Sequence, residues 1–403
     1  MSREGLNRRS FLTGGAAAIG GAALALGGRA VWDEEPVPMP APDAVGQATE
    51  EFRGIRQAGV STRPQAFASF VALDLRSDVD HDALVRLMRI WTDDIERLSQ
   101  GRAPLADTEP ELGAVPARLT VTVGYGPAVF RAAGLERLAP AWLRPLPAFT
   151  VDRLEDRWND GDVVLQVCAD DETTVAHAVR LLVKDARTFV TVRWLQRGFR
   201  STPGSTPPGT TMRNLMGQVD GTRNPDLGVE PELVWQPDGA SDALAGSTSL
   251  VVRRIAMNLD TWDELDRDGR EKAVGRRLDT GAPLTGRKEH DVPDLDAVDA
   301  NGLTVIAPFA HVRRARDDEH PEQRFLRRGY NYDEAPAPGE LSSSGLIFAT
   351  YQADVDTQFV PIQRRLDELD LLNEWTTPIG SAVFFVPGGA RAGEYLGQRL
   401  LES

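Results

Sequence analysis

The sequence predicts an α+β fold built from two units with antiparallel sheets. Three observations carry that expectation. Short apolar runs rich in Val, Ile, Phe and Thr recur through both halves of the chain, as strands require. Segments with apolar residues at helical spacing fall between them. The order in each half is roughly strand, helix, strand, strand, helix, strand, and runs of that kind favour antiparallel α+β layers over a parallel sheet.

The elements follow in chain order. Residues 1–30, "MSREGLNRRSFLTGGAAAIGGAALALGGRA", have a basic start and a Gly-rich, weakly apolar run too soft for a membrane span. They read as a secretory signal with a small-residue cleavage site after Ala30, and Arg8-Arg9 before Ser10-Phe11-Leu12 looks like the twin-arginine export signal. The localisation expected is therefore periplasmic, cell-envelope or extracellular. Residues 31–62, rich in Pro, Glu and Ala, read as a linker. The first unit, 63–200, opens with the strand "QAFASFVALDL" and the helix "HDALVRLMRIWTDDIERL". The strands "RLTVTVGYG" and "DVVLQVCA" come next, then the helix "DETTVAHAVRLLVKDA", capped by Asp171 or Thr173, and the strand "TFVTVRWLQ". The second unit, 201–403, holds the strand "TSLVVRRIAMNL", the helix "DTWDELDRDGREKAVGRR", the strand "GLIFATYQADV", the helix "DTQFVPIQRRLDELDLL" and the strand "SAVFFVPGG". This is the split βαβ order of a ferredoxin-like unit, occurring twice as a pattern without residue identity between the halves. Long connections remain at 199–247 and 277–343, and long loops on a compact scaffold are where function concentrates.

Composition narrows the chemistry. The formal net charge of −15 gives no basic face for phosphate contacts, which argues against nucleic acid as a partner. The single cysteine, Cys168, excludes an internal disulfide framework and sits in an apolar run, so it reads as a buried thiol. No Cys-x-x-Cys-His, dinucleotide fingerprint or phosphate-cradling loop is present.

Of the five histidines, His81 is expected in solvent, His177 beside an apolar helix stripe as a structural residue, and His290 and His320 in charged loops. His311 ends the apolar run "GLTVIAPFA", which suits either a satisfied core residue or a metal ligand on a pocket wall. No other His or Cys is spaced to complete a zinc site with it, but one protein ligand suffices when the metal arrives in a porphyrin. In "FLRRGYNYD", Arg327 and Arg328 follow Phe325-Leu326, so one of them points inward and needs an anionic partner. In "GQVDGTRNP", local chemistry makes Asp220 the tip of an Asp-Gly hairpin.

Taken together these segments resemble the dye-decolorising peroxidases. "GQVDG" fits that family's Gly-x-x-Asp-Gly motif, "AHVR" resembles its proximal-histidine segment and "FLRRGYNY" its distal-arginine segment. The block from "GLIFATYQADV" to "FFVPGG" is similar to its C-terminal part, and the pieces keep the family order over roughly residues 65–400. The resemblance implies two ferredoxin-like halves of the dimeric α+β barrel type and one non-covalent haem b per chain. His311 would be the axial ligand of the iron. Asp220 would stand on the distal face with Arg327 beside it, Arg328 being the rival. Gly221, Thr222 and Arg223 would line the haem, and Phe348 the distal pocket. Asp370 would hold the other nitrogen of His311, with Asp367 and Glu374 close in sequence. The family often has Asn-Pro after the histidine segment, where this chain reads "HVRRARDDEHPEQ", so haem contacts from 314–318 stay open. The implied partners are hydrogen peroxide and small aromatic or dye reductants, with Tyr351, Trp375 and Trp235 as electron relays. A deferrochelatase role tied to an iron-uptake system is the alternative, and a haemless binding module a distant third. A homo-oligomer is compatible with all three.

Overall fold

The structure, a computed structural model, describes residues 42–237 and 241–403. The twin-arginine leader and the cleavage site after Ala30 lie outside the described residues.

Among the described residues, nine strands form one continuous antiparallel sheet, which divides into two smaller sheets joined at two narrow seams. In the first, β1 (Phe67–Leu75), β2 (Thr120–Tyr125), β3 (Val163–Ala169) and β4 (Val190–Phe199) lie in the order β2-β3-β1-β4. In the second, β9 (Thr376–Val386), β5 (Thr248–Met257) and β8 (Ser343–Gln352) run side by side, and β6 (Leu326–Arg327) and β7 (Tyr330–Glu334) share the free edge of β8. With β6 and β7 counted as one bulged strand, both sheets have the strand order of a ferredoxin-like unit. The two sheets meet at single residue pairs, Tyr125 with Phe385 and Phe199 with Asn331, which close them into a ring.

Packing explains the sequence pattern. β3 is buried along its whole length because both of its faces are covered, hence its continuous apolar run. On one side, β1–β3 pack against Leu84, Leu87, Trp91 and Ile95 of the helix His81–Ser99 and Leu182 of the helix Glu172–Ala186. Asp80 and Asp171 start these helices by accepting from the Ala83 and Thr174 amides. On the other side, Phe70, Val164, Cys168 and Trp194 meet Leu250, Val252, Ile347 and Phe384 of the second sheet. The outer face of the second sheet, with its helix Val360–Leu369, is where the cavity opens.

Three expectations change. The segment "FLRRGYNYD", expected inside a long connection, supplies β6 and β7: Tyr330 and Tyr332 are buried on alternate positions, a period-2 signal hidden by the arginines. The helix expected over 260–277 is two pieces, Leu259–Trp262 and Arg267–Val274, because Asp266 accepts from the Gly269 amide and caps a fresh start. Within the stretch expected as linker, Phe52, Gln57 and Val60 are buried. The Gln57 amide donates to the carbonyls of Val123 and Pro387 and accepts from the Val123 N–H, bridging the sheets beside the Tyr125 seam. A polar residue fastens this segment, so its composition gave no core signal.

Candidate active site

Asp220 does not sit at a hairpin tip. The turn is Asn214–Gly217, closed by the Gly217 amide on the Asn214 carbonyl at 2.9 Å, with Gly217 at φ 80°. Arg213 pairs with Val219, and the Asp220 amide donates to the Met212 carbonyl at 2.8 Å. Asp220 therefore lies on the returning arm, where backbone hydrogen bonds fix it. Gly221 then swings the chain away at φ 126°, a conformation that side chains resist.

Arg327 reaches Asp220 from β6, with its Nη1 3.2 Å from Oδ1. Adjacent strand residues face opposite ways. Arg328 accordingly points between the sheets, fully buried, and donates to the Thr62 carbonyl and the Gln65 side chain. The geometry thus separates the two neighbouring arginines.

His311 begins a single helical turn, His311–Arg314. Its Nδ1 lies 2.6 Å from Oδ2 of Asp370, which is buried at the end of the helix Val360–Leu369 and also accepts from the Leu372 amide. Burial lowers the imidazole's basicity, but the Asp370 charge and hydrogen bond outweigh it and leave the group above its ordinary value. In the neutral ring, a carboxylate accepting at Nδ1 places the proton there and leaves the Nε2 lone pair free. One third of the side chain is accessible, and it lines the cavity. Asp367 is occupied elsewhere, accepting from Thr150 and Val151.

Asp220, Thr222, Arg223, His311, Arg327, Phe348 and Asp370 all line one cavity of about 250 Å³. Gly221 is not among the lining residues; it shapes the turn behind them. Apart from Val151, every lining residue comes from the second half of the chain. Ile255, Met257, Leu346 and Phe348 form an apolar floor on the sheet, facing Ile362 and Leu366 of the helix.

Sequence reasoning missed three further cations at the cavity, Arg276, Arg316 and Arg324. Arg316 falls within 314–318, the segment left open. It pairs with Asp318, Arg324 with Glu230 and Arg327 with Asp220. Among the described residues, Arg223 and Arg276 have no carboxylate partner. One buried nitrogen of Arg223 is unbonded, and Arg276 donates only to the carbonyls of Gly281 and Glu289. Burial, then neighbouring arginines, lower the basicity of both. Two cations held at such cost match a ligand bearing two carboxylates. Among the described residues no trio of His, Cys, Asp or Glu is placed to hold a bare metal ion. A lone imidazole, an apolar floor and two unpaired guanidiniums instead fit a flat, iron-bearing ring that brings its own ligands and two carboxylates.

Comparison with known proteins supplies the family. The models of the Dyp-type peroxidase N-terminal and C-terminal regions match residues 57–200 and 211–391. The chain belongs to the Dyp-type peroxidase family. It is 39% identical to the dye-decolorizing peroxidase of Thermobifida fusca (strain YX), over 99% of this chain and 98% of that protein. It is 36% identical to the deferrochelatase of Yersinia pestis bv. Antiqua (strain Nepal516), over 90% and 88% of the two chains. The crystal structure of a DyP-type peroxidase from Cellulomonas bogoriensis superposes with a TM-score of 0.87 at 63% identity, covering 89% of this chain and 99% of that one. The chain is thus a haem-dependent peroxidase with the α+β fold of that family. In this Dyp-type peroxidase, Tyr351 and Trp235 are buried between the sheets, and Trp375 packs edge-on against Trp262 at 5.2 Å.

Proposed function

We propose that this Dyp-type peroxidase reduces hydrogen peroxide at one non-covalent b-type haem per chain and oxidises small aromatic donors, dyes among them, by one-electron steps. One observation carries the reading: the Asp220–Arg327 pair and the His311–Asp370 pair open onto a single cavity. When bound, the haem supplies the iron that meets peroxide and takes up its two oxidising equivalents. The chain's own residues do the rest. His311 Nε2 would ligate the iron, and Asp370 fixes the orientation and proton of the ring. Arg223 and Arg276 bind the two ring carboxylates, Gly221 and Thr222 shape the wall, and Phe348 excludes water. Asp220 takes the proton from one peroxide oxygen and returns it to the other, a role worth about 10²–10⁴-fold. Arg327 places positive charge where the departing oxygen gathers negative charge. The twin-arginine leader sends the folded, loaded chain out of the cytoplasm.

The second reading is iron release from haem with the porphyrin intact, favoured by the deferrochelatase relatives at 36% identity. Product analysis separates the two. Haem-loaded protein given peroxide and a dye should yield oxidised dye and no metal-free porphyrin. Free protoporphyrin with intact dye would transfer the function to the second reading.

A further inference from the structure

A single 3.2 Å contact between two side chains does not by itself fix the Asp220–Arg327 geometry. Both side chains are partly accessible, 18% and 24%, and ion pairs so placed contribute little. Something else must set the separation. Asn224, four residues after Asp220, grips the backbone of Arg327. Its Nδ2 donates to the Arg327 carbonyl at 2.9 Å, and its Oδ1 accepts from the Arg327 N–H at 3.0 Å. In a strand, the N–H and C=O of one residue point the same way. Those of Arg327 face away from β8, whose ladder is served instead by the Arg328 amide on the Ala349 carbonyl. One planar amide thus completes the free edge of β6 as a partner strand would, fixing distance and rotation together. Asn224 is itself fixed from both sides. Its N–H closes on the Gly221 carbonyl at 3.0 Å, and Pro225 after it disfavours a helical backbone there.

We propose that Asn224 is a positioning residue that sets the Asp220–Arg327 geometry through the backbone of Arg327. This rests on the proposed roles of Asp220 and Arg327. The experiment uses the haem-loaded full chain and reads the second-order rate constant for hydrogen peroxide by stopped flow, with haem affinity measured alongside. Asn224→Leu keeps the branched outline of the side chain and removes both bonds. It should slow the peroxide reaction about 10- to 100-fold, the effect of misplacing a reacting group by about an ångström, with haem affinity unchanged. Asn224→Asp keeps the acceptor for the Arg327 N–H and should lose less, and it decides the matter if the leucine variant does not fold. The same change made in an Arg327→Leu background should have less than a twofold effect, because the group being positioned is gone. A rate within twofold of wild type in both single variants would overturn the proposal. So would a loss that persists undiminished beside Arg327→Leu, or one that tracks haem occupancy. If Arg327→Leu itself reacts at the wild-type rate, the underlying reading of Arg327 fails, whatever Asn224 does.

Discussion

Replacing Arg327 with leucine lowers the second-order rate constant for peroxide by about 10³-fold, while the protein still folds and takes up haem. The size follows from what is removed: a fixed cation at a partly buried site, where charge is stabilised without reorganisation, typically worth about 10²–10³-fold for a single donor. Leucine also leaves Asp220 without its ion-pair partner, which adds to the loss. Folding is spared because β6 keeps its pairing with Tyr351 and Thr350 and its hydrogen bonds to Asn224, none of which uses the guanidinium. Arg328→Leu provides the contrast. That side chain is fully buried between the sheets and donates to Thr62 and Gln65, so its loss should lower thermal stability rather than act on peroxide directly. Stopped-flow traces of the Soret change after mixing with peroxide give the first result, and thermal melts the second.

Replacing His311 with alanine lowers haem affinity by at least about 10²-fold and removes the spectrum of a histidine-ligated iron. Among the described residues lining the cavity, His311 carries the one imidazole, and Asp370 accepts from Nδ1, the tautomer that leaves Nε2 free. Asp370→Asn is the milder change. It weakens the hydrogen bond without removing the ligand, and losses of about 10–100-fold are usual for such partners. The two results come from titrating haem into the apoprotein and following the Soret band. If Arg223 and Arg276 hold the ring carboxylates as proposed, their loss should lower affinity without altering the ligation spectrum.

Much of the scaffold was legible because burial on both faces writes itself as apolar runs. "VVLQVCA" and "LVVRRIAM" could hardly be anything but strands. β6 and β7 escaped because Arg327, Arg328 and Gly329 interrupt the alternation that Tyr330 and Tyr332 continue. Gln57 escaped because it fastens its segment by hydrogen bonds, which composition does not reveal. At the site, Asp220, His311 and Arg327 were visible through ordered short motifs, and the choice of Asp370 and Arg327 over their neighbours accords with the geometry. That choice is fixed in space rather than in sequence: a strand turns consecutive arginines to opposite faces, and one carboxylate at a helix end meets His311. Arg276 and Arg316 carried no signal, since an arginine among charged neighbours looks like any solvated residue until a cavity is seen beside it. The same holds for Asn224, whose "RNP" context announces a turn and hides the hydrogen bonds to Arg327.

The central claim is that Asp220, placed on the returning arm of its turn, handles the peroxide proton. The most direct measurement is the peroxide rate constant of haem-loaded Asp220→Asn by stopped flow at neutral pH, with its haem spectrum recorded first. Asparagine keeps the shape and a hydrogen bond to Arg327 but cannot accept a proton. The account predicts an unchanged resting spectrum and a rate lower by about 10²–10⁴-fold. A rate within twofold of wild type, with haem fully bound, would contradict it.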